Sequence, residues 1–247
     1  MTSSFTTHPS PHDTPGQALQ NKRLILTAID KGGVGKSFFC VRLIEWLREA
    51  HRSFIAFDPD FFNSTLTRFY PEAQFLNIGH SENLDLIVEA LDSTDVVLVD
   101  GVGAQQRIFM DWMEETDLLK VKASLGLSVT LVLIIEEDKD TVFQAGEVAR
   151  RVGSQAEWLV VKNYKQSQAL RIYQNSRARE DLLRIGAKEI DLRKLSEHLT
   201  TILQLNSWTI PQALGSNTLN LLDRQRLVEY TRELNNQLFD VQSILLP

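Results

Sequence analysis

Three observations predict an α/β fold, a three-layer sandwich in which a mostly parallel sheet of about seven strands lies between helices. Apolar runs of strand length alternate with longer helical patterns from Lys22 onward, as expected of a parallel sheet with crossover helices. The first strand runs straight into a glycine-rich turn, Lys31-Gly32-Gly33-Val34-Gly35-Lys36-Ser37, and then into an apolar helix. Later strands end on Asp or Asn, at the edge where an open α/β sheet binds its ligands.

Residues 1–21 hold three of the seven prolines among Ser, Thr, His and Gly, a composition that predicts a disordered tail. His8 and His12 are four apart, but the intervening prolines keep them off one helical face, so no metal site is expected there. No linker interrupts the remainder, and 22–247 reads as a single domain. Leu24-Ile25-Leu26-Thr27-Ala28-Ile29 predicts the first strand, 24–29, and Phe38, Phe39, Val41, Leu43, Ile44 and Leu47 predict a helix over 36–50. Further strands are expected at 53–58, 95–100, 128–136 and 157–162, with weaker ones at 187–190 and 207–210. Helices are expected at 82–92, 104–119, 139–152, 167–184, 192–203 and 217–239. Phe109, Trp112 and Met113 on the 104–119 helix are available to the core or to a partner. The stripe Leu219, Leu222, Leu227, Tyr230, Leu234 and Leu238 would pack the last helix on the sheet.

The turn after the first strand carries the chemistry. Glycines at 32, 33 and 35 let Gly32, Gly33, Val34 and Gly35 curl their N–H groups around phosphate oxygens. Lys36, Ser37 and Phe38 open a helix whose N-terminus favours the same anion. Lys36 supplies a charge for β/γ-phosphates, and the Ser37 hydroxyl suits a Mg²⁺ ion. The general pattern G-x-x-x-x-G-K-[ST] fails only at Asp30, where its first glycine belongs. The strand Val96-Val97-Leu98-Val99 ends in Asp100-Gly101-Val102-Gly103, so Asp100 is placed to hold Mg²⁺ through water and Gly103 to turn a backbone N–H toward a γ-phosphate. The second strand ends in Asp58-Pro59-Asp60.

With Lys31 directly before the glycines, the loop resembles that of the ParA/MinD superfamily of deviant Walker A P-loop ATPases. The resemblance spans residues 24–240 in element order and rests on three short motifs. It implies that Lys31 reaches the nucleotide of a partner subunit in an ATP-bound homodimer, and that Asp58 lies near Mg²⁺ while Asp60 orients the attacking water. It implies Asn163, after Trp158-Leu159-Val160-Val161, as an adenine contact, with Pro211 as a second wall. ATP and Mg²⁺ are the implied cofactors, and a protein partner that stimulates slow hydrolysis is the implied regulator. Partition, cellular positioning and conjugal DNA transfer are the settings such switches serve. Phe61-Phe62-Asn63-Ser64 departs from the commoner Gln-Gly-Asn after the Asp-x-Asp. Two other functions fit the same fold: a biosynthetic ATP-dependent ligase of the dethiobiotin-synthetase or cobyrinate-amidase kind, which usually lacks the lysine before the glycines, and a nucleotide-bound scaffold without hydrolysis.

Composition narrows the classes. Hydrophobic residues make up 43% and charged residues 23% of the 247, as in ordinary soluble globules. The single cysteine, Cys40, excludes an internal disulfide and a cysteine-ligated cluster within one chain. No apolar run approaches a membrane span, and the first 21 residues lack the apolar core of a secretory signal, so a cytoplasmic location is expected. Residues 238–247 contain no Lys or Arg, which disfavours direct membrane binding through a basic amphipathic end. The net charge is −6, yet 162–194 holds nine Lys/Arg against four Asp/Glu. That local +5 is either the solvated faces of two helices or a surface for nonspecific DNA.

Overall fold

The computed structural model describes residues 21–61, 63–103 and 105–247; the expected tail lies almost wholly outside them. Seven strands form one sheet: β1 (Lys22–Thr27), β2 (Phe54–Asp58), β3 (Gln74–Phe75), β4 (Val96–Val99), β5 (Leu127–Ile135), β6 (Glu157–Asn163) and β7 (Lys188–Leu192). Their order is β3-β2-β4-β1-β5-β6-β7 and every pair is parallel. The central strands are apolar without alternation because helices cover both faces, leaving no solvated side for polar residues. The chain leaves β1 for β2 on one side and later crosses to β5 on the other, so a crevice opens at the carboxyl end of β1.

The helices are α1 (Lys36–Glu49), α2 (Thr65–Phe69), α3 (Asp85–Ala90), α4 (Gln106–Glu115), α5 (Leu118–Val121), α6 (Lys139–Val152), α7 (Arg171–Gln174), α8 (Arg177–Arg184), α9 (Glu197–Asn206), α10 (Ile210–Gly215) and α11 (Leu221–Asp240). Short polar caps divide segments that periodicity joins. The helix expected over 167–184 breaks where Ser176 accepts a bond from Arg179 N and starts α8. The helix expected from 192 starts only after Ser196, which accepts from Leu199 N. The 82–92 segment becomes a 3₁₀ turn over Ser81–Leu84 followed by α3, and 104–119 resolves into α4 and α5.

One expectation about the sheet is corrected. Residues 207–210 form no strand: Thr209 and Gln212 build a reciprocal capping box that starts α10, with Pro211 in its first turn. The seventh strand is instead β3, a two-residue edge paired to the end of β2 and too short to show a period. The sheet is parallel throughout. Phe109, Trp112 and Met113 are all buried, which assigns them to the core. Of the terminal stripe, Leu222 is 64% exposed while Leu227, Tyr230, Leu234 and Leu238 are buried.

The last residues pack under the amino end of the sheet. Leu245 and Leu246 are buried, and Arg23 of β1 fastens the segment. Its Nε and Nη2 donate to Leu246 O at 3.1 and 2.8 Å, Nη2 donates to Ser243 O at 3.1 Å, and Nη1 reaches Thr130 Oγ1 at 3.2 Å. Glu157 is its ion-pair partner, and burial lowers its pKa to about 10. Arg23→Ala should therefore cost about 2–4 kcal/mol by stranding buried carbonyls and a carboxylate. Urea unfolding measures this, and an unshifted midpoint at constant m-value would remove Arg23 from its role as the fastening.

Candidate functional site

The parallel register sets the site. Leu26 of β1 pairs with Val99 of β4, so the residues that follow each strand meet. Gly101 N donates to Thr27 Oγ1 at 2.7 Å, and a Cβ at Gly101 would stand 2.2 Å from Thr27 O. Asp100 is thereby delivered to the root of the loop that follows β1.

That loop turns through two left-handed glycines, Gly33 at φ 75° and Gly35 at φ 94°. Gly35 is the N-cap of α1 and no side chain caps the helix, so its first amides face the crevice with no intrahelical partner. Lys36 lies over the loop, its Nζ donating to Ile29 O and Lys31 O at 2.8 Å each, which leaves its third ammonium hydrogen for an incoming anion. Burial lowers the Lys36 pKa. Val34 is buried, and its carbonyl accepts from Asn163 Nδ2 at 2.8 Å.

Asp100 is 4% exposed with the Ser37 hydroxyl beside it, and burial pushes its pKa up to about 7. The Cys40 thiol donates to Asp100 Oδ1 at 3.5 Å, and burial raises its pKa well above the ordinary value. Among the described residues no three His, Cys, Asp or Glu side chains cluster as a metal cage. A hydroxyl beside one buried carboxylate fits Mg²⁺ instead, which keeps much of its water and takes its other ligands from phosphate. Asp58 also stands near, its pKa raised by burial, but its oxygens fasten α2: Oδ2 accepts from Thr67 N and Oγ1, and Oδ1 accepts from Asp60 N. Asp60 borders the cleft with Oδ1 accepting from Asn63 N at 2.8 Å.

Gly33, Gly35, Lys36, Ser37, Asp58, Asp60 and Asp100 line one cleft of about 890 Å³ with Gly32, Phe38 and Gly103, a size suited to a nucleotide-scale ligand. Val34, expected among the contacts, is buried behind the loop and does not border it. Gly103 is packed so tightly that a Cβ would lie 2.7 Å from Asp30 O. Asn163 borders the cleft, yet its amide serves the loop: besides Val34, its Oδ1 accepts from Lys165 N at 3.0 Å. Pro211 does not border it. Pro211 is exposed at the start of α10, and Arg68, Arg193, Lys194, Thr200 and Gln204 line the cleft. The helical pattern from 192 hides Arg193 and Lys194, because the chain is a loop there and α9 starts only at Glu197. Lys31 also lies outside the cleft. Its Nζ pairs with Asp138 at 2.6 Å and Asp140 at 3.5 Å, its N–H donates to Gln144 Oε1 at 3.1 Å, and the Asp138 hydrogen bond raises its pKa.

Of the nine basic residues in 162–194, six are in ion pairs: Lys162 with Asp191, Arg179 with Glu189, Arg177 and Arg184 with Asp181, Arg193 with Glu233, and Lys194 with Glu197. The local excess is largely answered within the fold, as solvated helix faces require.

No family model matches the chain, and no curated protein sequence matches it. Solved structures do. The MinC:MinD cell division protein complex of Aquifex aeolicus matches with a TM-score of 0.55 at 13% identity, covering 87% of this chain and 96% of that one. The septum site-determining protein MinD of Pyrococcus horikoshii, complexed with Mg-ADP, matches with a TM-score of 0.51 at 12% identity over 86% and 95%. The MinD cell division protein of A. aeolicus matches at 0.50 and 13% over 87% and 97%. The chain has the MinD fold. Among the described residues no helix is long and apolar enough to cross a membrane.

The loop's glycines are under a steric demand that can be measured. Gly35→Ala puts a methyl group 2.8 Å from Asn163 Nδ2 at a left-handed φ and should cost about 2–4 kcal/mol. The added substitution Asn163→Ala should then cost less than it does alone, because it removes the clash. Additive losses in urea unfolding would contradict the packing described.

Proposed function

We propose that this chain is a member of the ParA/MinD superfamily: a cytoplasmic, ATP-dependent switch that dimerises with ATP and hydrolyses it slowly, stimulated by a protein partner. The observation that carries this reading is the uncapped glycine loop with Lys36 at its centre and the Ser37–Asp100 pair at its root. The fold likeness to MinD supports it, as does the cationic wall of Arg68, Lys165, Arg193 and Lys194 around the cleft mouth.

Bound Mg-ATP would supply a phosphoryl group for transfer to water. The chain's part is positioning and charge neutralisation, which dominate such reactions. The loop amides and Lys36 hold phosphate oxygens, and Ser37 with Asp100 holds the ion's shell, with Asp58 acting through water. Asp60, beside the carboxyl end of β2, orients the water. Lys31 is the dimer element. Within one chain it rests on Asp138 and Asp140 at the start of α6, a half-exposed pairing that solvent weakens, and it exchanges them for the phosphates of a partner subunit. Partition, positioning and conjugal transfer are the uses we infer for such a switch.

Lys36→Ala should abolish binding of a fluorescent ATP analogue, and unchanged affinity would refute the phosphate assignment. Lys31→Ala should keep nucleotide binding but lose the ATP-dependent dimer in light scattering coupled to size exclusion. A dimer that persists would point to the ligase or scaffold alternatives. Asp60→Ala should hold the ATP dimer longer than the unaltered chain does. A monomer under the same conditions would end its role with water.

A further inference from the structure

Asp30 stands where the general phosphate-loop pattern has glycine, and it does not border the cleft, though its charge acts on Lys36. The side chain turns out of the loop. Asp30 Oδ1 accepts the backbone N–H of Gln106 at 2.6 Å across 76 residues of sequence. Gln106 is the first residue of α4, and the local N-cap, Gln105, supplies no side-chain cap. Asp30 thus does for α4 what an N-cap side chain does for its own helix, satisfying an orphan amide and setting a negative charge at the positive end.

The same two segments meet again at Gly103, three residues before α4. A Cβ there would stand 2.7 Å from Asp30 O and 3.3 Å from Gly32 N. Backbone contact of this kind resists approach but not separation. The Asp30–Gln106 hydrogen bond resists separation, so the pair makes a two-sided link. Elsewhere α4 is held independently of the loop: Trp112 Nε1 donates to Asp85 Oδ1 at 2.9 Å, and Arg151 of α6 bonds Asp111 and Glu114 at 2.6 Å each. With Phe109 and Met110 buried as well, Gln106 and Arg107 are the part of α4 these contacts leave to the tie with the loop.

We propose that Asp30 is a positioning residue that ties the start of α4 to the phosphate loop, so that what the loop binds is passed to α4. The inference rests on the nucleotide reading above. A glycine at position 30 could cradle phosphate equally well but would leave the loop and α4 joined only by contact at Gly103. The departure from the general pattern is then the coupling device itself, and α4 is the element whose two positions distinguish the bound states.

The test uses the full chain and hydrogen exchange of the amides at 106–110, with ADP or a non-hydrolysable ATP analogue, while a fluorescent nucleotide reports affinity. In the unaltered chain the two nucleotides should give exchange rates at these amides differing by about fivefold, the scale of one hydrogen bond. Asp30→Ala and Asp30→Gly should abolish that difference while nucleotide affinity stays within about threefold, well under the tenfold that a strong contact is worth. Asp30→Asn keeps an Oδ1 acceptor and should preserve the difference. If Asp30→Ala binds nucleotide and still shows the full difference, the coupling is wrong although the nucleotide reading stands. If Asp30→Ala stays folded but loses nucleotide, Asp30 belongs to the phosphate site and the coupling is again wrong. An unaltered chain that binds no nucleotide overturns both.

Discussion

Gly101 lies so close to β1 that a Cβ would sit 2.2 Å from the Thr27 carbonyl, and its N–H is bound by the Thr27 hydroxyl. This approach of the β4 exit to the β1 exit is the constraint on which the rest of the site depends. It follows from the register Leu26 to Val99, which the buried apolar faces of both strands hold in place because a slip would expose them. Given that register, Asp100 meets Ser37, Gly103 meets the loop backbone, and the Asp30 carboxylate reaches α4. The only side chains the approach admits at these points are hydrogen atoms, which is why glycine stands at 101 and 103.

Burial then sets the electrostatics. Asp100 is nearly inaccessible and is desolvated more than Ser37 or Lys36 compensates, so its pKa rises to about 7. Lys36 is desolvated in the opposite sense and held by two carbonyls. Both groups are under-satisfied in a way that a bound cation and a bound polyanion would correct together. Lys31 is different. It lies at the rim, outside the cleft, with acidic partners at the start of α6 and pKa raised by them. The two lysines of one motif are thus separated by a few residues and by opposite surroundings. One is fixed over the loop and the other is paired with carboxylates at the start of α6.

The two residues that depart from the general loop pattern, Asp30 and Lys31, point to different neighbours. Asp30 bonds the start of α4 and Lys31 the start of α6, while Arg151 joins α6 back to α4. The loop therefore sits at one corner of a closed set of polar contacts rather than in an isolated turn. Such contacts lie between helices that are also packed on the sheet through apolar residues such as Phe109, Trp112 and Ala145, so they orient elements whose stability comes from burial.

Periodicity and the glycine-lysine-serine turn determined the strand–loop–helix start, where along the chain most strands lie and the carboxylates at their ends, because those signals are local and repeated. The run Val96–Val99 with Asp100 after it was legible for the same reason. Sequence alone misassigned 207–210, since Trp208 and Ile210 look apolar while the Thr209–Gln212 capping box decides the conformation. It could not see β3, whose two residues carry no period, or the 193–195 loop that lines the cleft in place of Pro211. It also could not tell that Asn163 bonds Val34 and Lys165, or that Asp58 bonds Thr67 of α2. Those outcomes depend on hydrogen-bond partners many residues apart, which only the folded chain brings within reach. Residue types and their spacing determined which chemistry is present, and the tertiary structure decided which of those groups are free to use it.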